Sequence, residues 1–390
     1  MFCSILSRIL CKCQRPIIIR KPSLVGSLSH ALSMTLPPPI TMITHESESQ
    51  AAAFEIYLER FADRGALLAR GVFVFRGVPG AYVARLHALG GSIRCLQSDR
   101  RLADSLTLMG VERVDAAPAS MPAAVVFATK HREEVLEHLA LAATALPEGG
   151  LLVVVASNLL GSPSLEKRVS ELMGPVEVFS KHKCRVISVL KQSQRLNAPL
   201  AQEWLFQGSL RMIDGLGLYS APGIFSWQKV DEGSRQLLAF LPENLAGAGA
   251  DLGAGLGFLT RGLLEKAPGV RTMTLVEIEG KALQAARRNL AGFEDRVTLH
   301  FAWQDVLSDV ALRSLDFVIT NPPFHAGRGA LMELGQAFLS KAVSVLRPGG
   351  RLYVVANRHL PYEASLKAAG ATISRFEDRA GFKLIEAIRA

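Results

Sequence analysis

The chain has 390 residues, 49% of them hydrophobic and 20% charged, with a formal net charge of +9. That length exceeds one ordinary core and predicts two globular, soluble domains, while the basic balance favours a polyanionic partner without bearing on the fold. Five cysteines are too few for a disulfide framework, no CxxC pair or His cluster has metal spacing, and no apolar stretch is long enough to span a bilayer, so the expectation is a cytoplasmic protein without metal or membrane anchor.

Residues 1–48 differ from the rest. They hold no acid before Glu46 and carry the run Pro37-Pro38-Pro39. Arg8, Lys12 and Arg15 interrupt their apolar stretch, which argues against a secretory signal. A basic organelle-targeting peptide fits the composition. The reading preferred here is a disordered or artefactual extension, with Met34 or Met42 as alternative starts.

From Phe54 onward strands and helices alternate, which argues for α/β architecture. The pattern predicts a strand at 71–76, a helix at 81–89, an apolar run at 123–128, a helix at 133–146 and a strand at 151–156. The second half repeats it, with strands at 250–252, 271–277, 297–302, 315–320 and 351–356, and helices at 257–265, 281–290 and 331–346. Leu146-Pro147-Glu148-Gly149-Gly150-Leu151 parallels Leu346-Arg347-Pro348-Gly349-Gly350-Arg351, and the apolar runs after them match as well. Segments 179–190 and 376–388 both read as closing hairpins. These matches predict two copies of one fold joined near 191–203. The copies differ where chemistry sits. Opposite Ile319-Thr320-Asn321-Pro322-Pro323-Phe324 the first copy is read as Phe127-Ala128-Thr129-Lys130-His131-Arg132, and it lacks a glycine-rich loop. It is therefore expected to be a degenerate copy that binds substrate or supports the second.

Asp251-Leu252-Gly253-Ala254-Gly255-Leu256-Gly257 joins a predicted strand to a helix. Glycines there permit positive φ and close approach of a ligand. Glu277 ends the next strand, where a carboxylate can accept the ribose hydroxyls of a nucleoside cofactor. That geometry suits NAD as well as S-adenosylmethionine. A dinucleotide fingerprint needs a small third residue, and the two ways of counting place Phe258 or Thr260 there. Asp251 suits the cationic amino-acid end of S-adenosylmethionine better than a pyrophosphate. Asp305 follows the third strand and can accept from an adenine amino group, with Trp303 and Gln304 as ring neighbours or as ordinary packing.

Asn321-Pro322-Pro323-Phe324 directly follows the apolar run at 315–320. Two prolines cannot extend a strand, so they stop the chain at its carboxyl end, where ligands of open α/β sheets bind. The Asn321 side-chain oxygen and the Pro322 carbonyl can each accept one N–H of an exocyclic amine, and Phe324 can stack on the ring. Such an amine is a poor nucleophile, and holding both hydrogens turns its lone pair toward an S–CH3 carbon. Positioning and electrostatics then carry the reaction, with no strong general base.

With these residues in place, the chain resembles class I S-adenosylmethionine-dependent methyltransferases, and more narrowly the ribosomal RNA guanine-N2 methyltransferases of the RsmC/RlmG type. Pro222-Gly223-Ile224-Phe225-Ser226, Asp231-Glu232-Gly233-Ser234, Asn321-Pro322-Pro323-Phe324-His325 and the run Val355-Ala356-Asn357-Arg358-His359-Leu360-Pro361-Tyr362 carry the resemblance. It implies two tandem Rossmann-like methyltransferase domains, a degenerate one at 49–192 and a catalytic one at 200–390. It implies methylation of a guanine N2 in ribosomal RNA, small-subunit RNA preferred, with naked RNA or a ribosomal subunit as partner; the sequence leaves the oligomeric state open, and a monomer is compatible with it. By position Asp251, Gly253, Gly255, Gly257, Glu277, Asp305 and Phe225 hold S-adenosyl-L-methionine, and Asn321, Pro322 and Phe324 hold the guanine. His325, Arg328 and Arg358 are candidates for a phosphate or the flipped base, against simple solvation. The same motif also serves methylation of protein glutamine or DNA adenine. A non-catalytic RNA-binding or assembly factor is the reading from a different class, and the intact set of Asp251, Glu277 and Asn321 argues against it.

Overall fold

The computed structural model describes residues 44–308, 311–323 and 328–390, and the side chains of these except 328–332. The predicted extension up to residue 43, Phe324 and His325 lie outside the described residues, as does the side chain of Arg328.

The first half runs α1 (His45–Arg60), α2 (Gly65–Leu68), β1 (Val72–Phe75), α3 (Tyr82–Ala88), β2 (Ile93–Leu96), α4 (Arg100–Leu108), β3 (Glu112–Arg113), β4 (Ala123–Phe127), α5 (Arg132–Ala145), β5 (Leu151–Ser157), α6 (Ser162–Met173), β6 (Glu177–Lys181), β7 (Cys184–Leu190) and α7 (Ala198–Gly208). A small hairpin, β8 (Arg211–Ile213) and β9 (Leu218–Ser220), leads into the second half. That half runs α8 (Glu232–Phe240), β10 (Ala246–Leu252), α9 (Phe258–Lys266), β11 (Gly269–Glu277), α10 (Gly280–Leu290), β12 (Thr298–Trp303), β13 (Leu315–Thr320), α11 (Arg328–Ser344), β14 (Leu346–Asn357), α12 (Tyr362–Ala368), β15 (Ala371–Arg379) and β16 (Phe382–Arg389).

Each half builds a seven-stranded sheet, in the orders β3-β2-β1-β4-β5-β7-β6 and β12-β11-β10-β13-β14-β16-β15. In each, five strands are parallel and the closing hairpin lies antiparallel against them. The central strands are continuous apolar runs because helices cover both faces. Alternate side chains enter opposite cores: Val72 and Val74 go one way, Phe73 and Phe75 the other. Phe317 and Ile319 likewise face one core and Val318 the other.

Three boundaries move from those expected. Helix α1 begins at His45, inside the segment read as an extension, and is capped by the Thr44 hydroxyl, which accepts from the Ser47 N–H. Gln50 in this helix is buried and donates to the carbonyls of Ala128 and Val155, tying the helix to the first sheet. Helix α7 lies across the boundary placed at 200, but Ala201 and Trp204 pack into the first half's core. Strand β10 starts at Ala246 rather than 250, because Ala246-Gly247-Ala248-Gly249 carries no apolar signal and is recruited by pairing with β11, joined by β13 from Gly249 onward. A Cβ on Gly249 would lie 2.2 Å from the buried ring of Phe317. Gly249→Ala is expected to destabilise the fold by about 1–3 kcal/mol, read as a lower urea midpoint.

The registers align the two halves residue by residue. Ala123 pairs with Leu151 as Phe317 pairs with Arg351, and Phe75 pairs with Leu96 and Val126 as Leu252 pairs with Val276 and Thr320. Arg76 therefore stands where the second half has Gly253, Gln97 where it has Glu277, and Phe127 where it has Asn321. The expected match of Thr129 with Asn321 is displaced by two positions. The first half has thus lost the glycine, the acid and the amide together.

Candidate functional site

Strand β10 delivers the chain to the loop 253–257. Gly253, Gly255 and Gly257 all have positive φ, at 73°, 55° and 82°, which side chains with a Cβ rarely adopt. Open space surrounds the Cβ position of Gly255, so the loop leaves room above it. Beneath the loop Asp251 is fully buried, and its Oδ2 accepts from the Thr260 hydroxyl at 2.7 Å. Its Oδ1 has no partner among the described residues. Burial pushes the Asp251 carboxyl up to about 7, against the Thr260 hydrogen bond, and the charge of Glu277 adds to the rise. Through Thr260 the residue ties β10 to the first turn of α9.

Glu277 ends β11 with one carboxylate oxygen on the Gly255 N–H at 2.7 Å and the other on the Glu279 N–H at 2.9 Å. Burial raises this carboxyl too, against those backbone donors. Asp305 lies just past β12, accepting from the Leu307 N–H. Trp303 is not turned to this loop: its Nε1 donates to the carbonyls of Ser98 and Ile278, and it serves the joint between the halves. Phe225 is half exposed on the turn before α8.

Asn321 leaves β13 beside this loop. The hydroxyl of Thr320 donates to the Leu252 carbonyl at 2.7 Å, pinning the ends of β10 and β13 together. Asn321 Nδ2 donates to Asp231 Oδ2 and to Ser234 Oγ, both at 2.8 Å. A carboxylate only accepts, so the amide must turn its nitrogen to Asp231. Oδ1 is then the outward acceptor, and it takes no hydrogen bond from the described residues. Asp231 is itself the N-cap of α8, accepting from the Ser234 N–H at 2.9 Å. Asp231, Ser234, Thr320 and Thr260 were given no role from the sequence. The visible signal was an aspartate three residues before a serine at a helix start. Arg358, a candidate for substrate contact, makes an exposed ion pair with Asp378.

Residues 215–386 match the Methyltransferase small domain. The ribosomal RNA small subunit methyltransferase C of Chromohalobacter salexigens is 33% identical over 319 residues, covering 78% of this chain and 90% of that protein. This chain belongs to the ribosomal RNA small subunit methyltransferase C family. The Psychromonas ingrahamii member of the family is 26% identical over 327 residues, covering 82% of this chain and 92% of its own length. A solved T. thermophilus 16S rRNA N2 G1207 methyltransferase (RsmC), in complex with AdoMet and guanosine, shares the fold, with a TM-score of 0.66 at 24% identity over 84% of this chain and 92% of that one. The family likeness thus spans both halves, the degenerate copy included. Among the described residues no helix is long and apolar enough to cross a membrane, and no group of acids, histidines and cysteines could hold a metal.

Proposed function

We propose that this protein transfers the methyl group of S-adenosylmethionine to the exocyclic N2 of a guanine in small-subunit ribosomal RNA, acting in the cytoplasm as a monomer. The observation that carries this reading is Asn321, whose amide nitrogen is held by Asp231 and Ser234 so that its oxygen alone is offered outward. The loop fits the cofactor. Gly253, Gly255 and Gly257 admit it closely, Glu277 borders the place of a ribose, and the partnerless Asp251 oxygen with its raised pKa marks a site whose electrostatics a cation relieves.

S-adenosylmethionine supplies an electrophilic methyl carbon and a sulfur leaving group. Asn321 Oδ1 accepts one N2 hydrogen and the Pro322 carbonyl accepts the other, which turns the nitrogen lone pair to the methyl carbon. The N–C bond forms as the S–C bond breaks, and the surplus N2 proton passes to water after transfer. Asp231 and Ser234 position Asn321 without touching the base.

The test supplies labelled S-adenosylmethionine with 30S subunits, 50S subunits or naked ribosomal RNA, each unmethylated, and maps the product by mass. Methyl label on a guanine N2 of the small-subunit RNA is expected. Label on adenine or on protein only would overturn the assignment.

Cofactor affinity should depend on pH through Asp251. Its pKa of about 7 in the free chain lies above the ordinary 3.8, so the group is largely protonated at pH 6 and ionises as pH rises. A ligand of net positive charge favours the ionised form, so S-adenosylmethionine, with its sulfonium and ammonium against one carboxylate, should bind tighter at pH 7.5 than at pH 6, by up to about tenfold per pH unit. Calorimetric titration of Asp251→Asn should lose that slope. In the ligand-free chain the sign is opposite: the folded state holds the proton more firmly, so this group's contribution to stability falls as pH rises from about 4 to 7.

A further inference from the structure

The two halves meet where β3 and β12, the outer strands of the two sheets, approach each other. The segment 97–101 docks on 278–281: Gly280 N–H donates to the Ser98 carbonyl and Arg100 N–H to the Ile278 carbonyl. Beside this seam lies a cavity of about 280 Å³, lined from both halves. It sits at the carboxyl edge of the first sheet, the edge at which open α/β folds take ligands. A cofactor of the second half's kind is excluded there. Arg76, in the place of Gly253, sends its guanidinium to Glu134 at 2.6 Å and to Glu279 at 3.1 Å. The open volume is displaced from that position toward β3 and β12.

We infer that this cavity is a second nucleotide site, which takes a base in its interior and a phosphate at its rim. The inference rests on the RNA substrate proposed above. Phe301 and Trp303 are alternate residues of β12 and share one face of it. The Arg287 guanidinium lies 4.3 Å from the centre of the Phe301 ring, and that of Arg113 lies 4.8 Å from the centre of the Trp303 ring. Arg287 is exposed and has no carboxylate partner among the described residues, while the partner of Arg113, Asp115, is 81% exposed and binds it weakly. Arg100 also lies over the Trp303 ring, at 5.0 Å, so the rings are covered by guanidinium planes, and the rim offers cations whose flat faces can themselves stack on a base.

The interior is different. Glu134 and Glu137 line it, so a bare anion would be repelled, yet each is neutralised, by Arg76 and by Lys281. His138 lines it too, only 5% exposed, with Nδ1 lacking a partner among the described residues. Burial, opposed by Glu134, keeps that imidazole neutral. A neutral group with edge donors and acceptors matches such a wall, and a nucleobase is one. Trp303 and Asn321 stand at the carboxyl ends of strands three places apart in one sheet, about 14 Å at ordinary strand spacing. One short single strand can therefore reach both places, with the target guanine at Asn321 and a neighbouring base in the cavity.

Two variants of the full chain separate base from phosphate. Val114→Trp fills the cavity and changes no charge; Arg287→Ala removes a rim cation at an exposed position. Binding of a single-stranded RNA oligonucleotide and of each nucleoside 5′-monophosphate is measured across a salt series, with S-adenosylhomocysteine binding as the control for an intact fold. Val114→Trp should weaken RNA binding roughly tenfold with an unchanged salt slope, and Arg287→Ala should reduce the slope by about one. If monophosphates bind wild type and Val114→Trp abolishes it, a free nucleotide is the occupant; if only RNA responds, it is a base of the strand. Unchanged RNA and monophosphate binding in both variants overturns the inference. If wild type methylates no RNA, the proposed function fails, and the monophosphate arm still decides whether the cavity is a nucleotide site.

Discussion

Asn321→Ala is expected to cut methyl transfer by about 10²–10³-fold, the range for removing one preorganised polar group at a reacting centre, while S-adenosylhomocysteine affinity stays within a few-fold. The loss should fall on kcat, because the amide does not hold the cofactor. The neighbours sharpen this expectation. Asp231 Oδ2 serves two donors, the Ser234 N–H and Asn321 Nδ2. Asp231→Ala would remove a helix cap and an orienting acceptor together, so it cannot separate fold from positioning. Asp231→Asn keeps an acceptor oxygen for both and should retain much of the rate. Ser234→Ala removes one of the two acceptors of Nδ2 and leaves the backbone cap in place. It should lower kcat with KM nearly unchanged. Asn321→Asp is the harshest conservative change: it sets a carboxylate against Asp231 and offers no N–H to hold it. A rate for Asn321→Ala equal to wild type would remove the assigned role outright.

The central strands were legible because they are apolar runs and some of the turns before them carry Gly-Gly pairs, and both signals are local, whereas the outer strands β2 and β3 of the first sheet lack such runs. The duplication was legible for the same reason. The start of β10 was not, since Ala246-Gly247-Ala248-Gly249 becomes a strand only through pairing with β11, and at Gly249 with β13 as well. Within the site, the glycine loop, Glu277 and Asn321 stand at strand ends, so chain order alone places them. The orientation of the Asn321 amide depends on Asp231, ninety residues earlier in the chain. No periodicity encodes that meeting. The burial of Asp251 was illegible for a related reason. Its position beside the loop was readable, but its burial behind Thr260 depends on how α9 packs. The alignment of the copies slipped by two residues because apolar runs look alike when shifted, and only the pairing registers fix them.

The largest effect on stability is expected at the joint. Arg76 and Glu134 are nearly buried, with side chains 9% and 1% exposed, and Glu134→Ala leaves a guanidinium out of water with Glu279 as its remaining partner. Breaking such a pair from one side costs about 3–5 kcal/mol, and the lower end is expected here because Glu279 remains. Arg76→Met with Glu134→Leu should recover part of that loss, since no charge is left unpaired between those two positions, although Glu279 then loses its guanidinium partner. The pH dependence has a definite sign. Burial alone would raise Glu134, but the Arg76 guanidinium outweighs it and holds the carboxyl down at about 2. The stabilisation is therefore present in full above the ordinary carboxyl range, near 4.5, and is lost as pH falls from there toward 2. Urea unfolding of wild type and Glu134→Gln at pH 6 and pH 3 should show the gap between them shrinking at the lower pH. A consequence for the site follows from chain connectivity. Glu279 lies two residues beyond Glu277, and its tie to Arg76 fixes the turn that carries Glu277, the acid proposed above to border the ribose. Glu134→Ala should therefore also weaken S-adenosylhomocysteine binding, although no residue of the first half need touch that ligand. Unchanged affinity in the folded fraction would mean that the first half supports the second without shaping its loop.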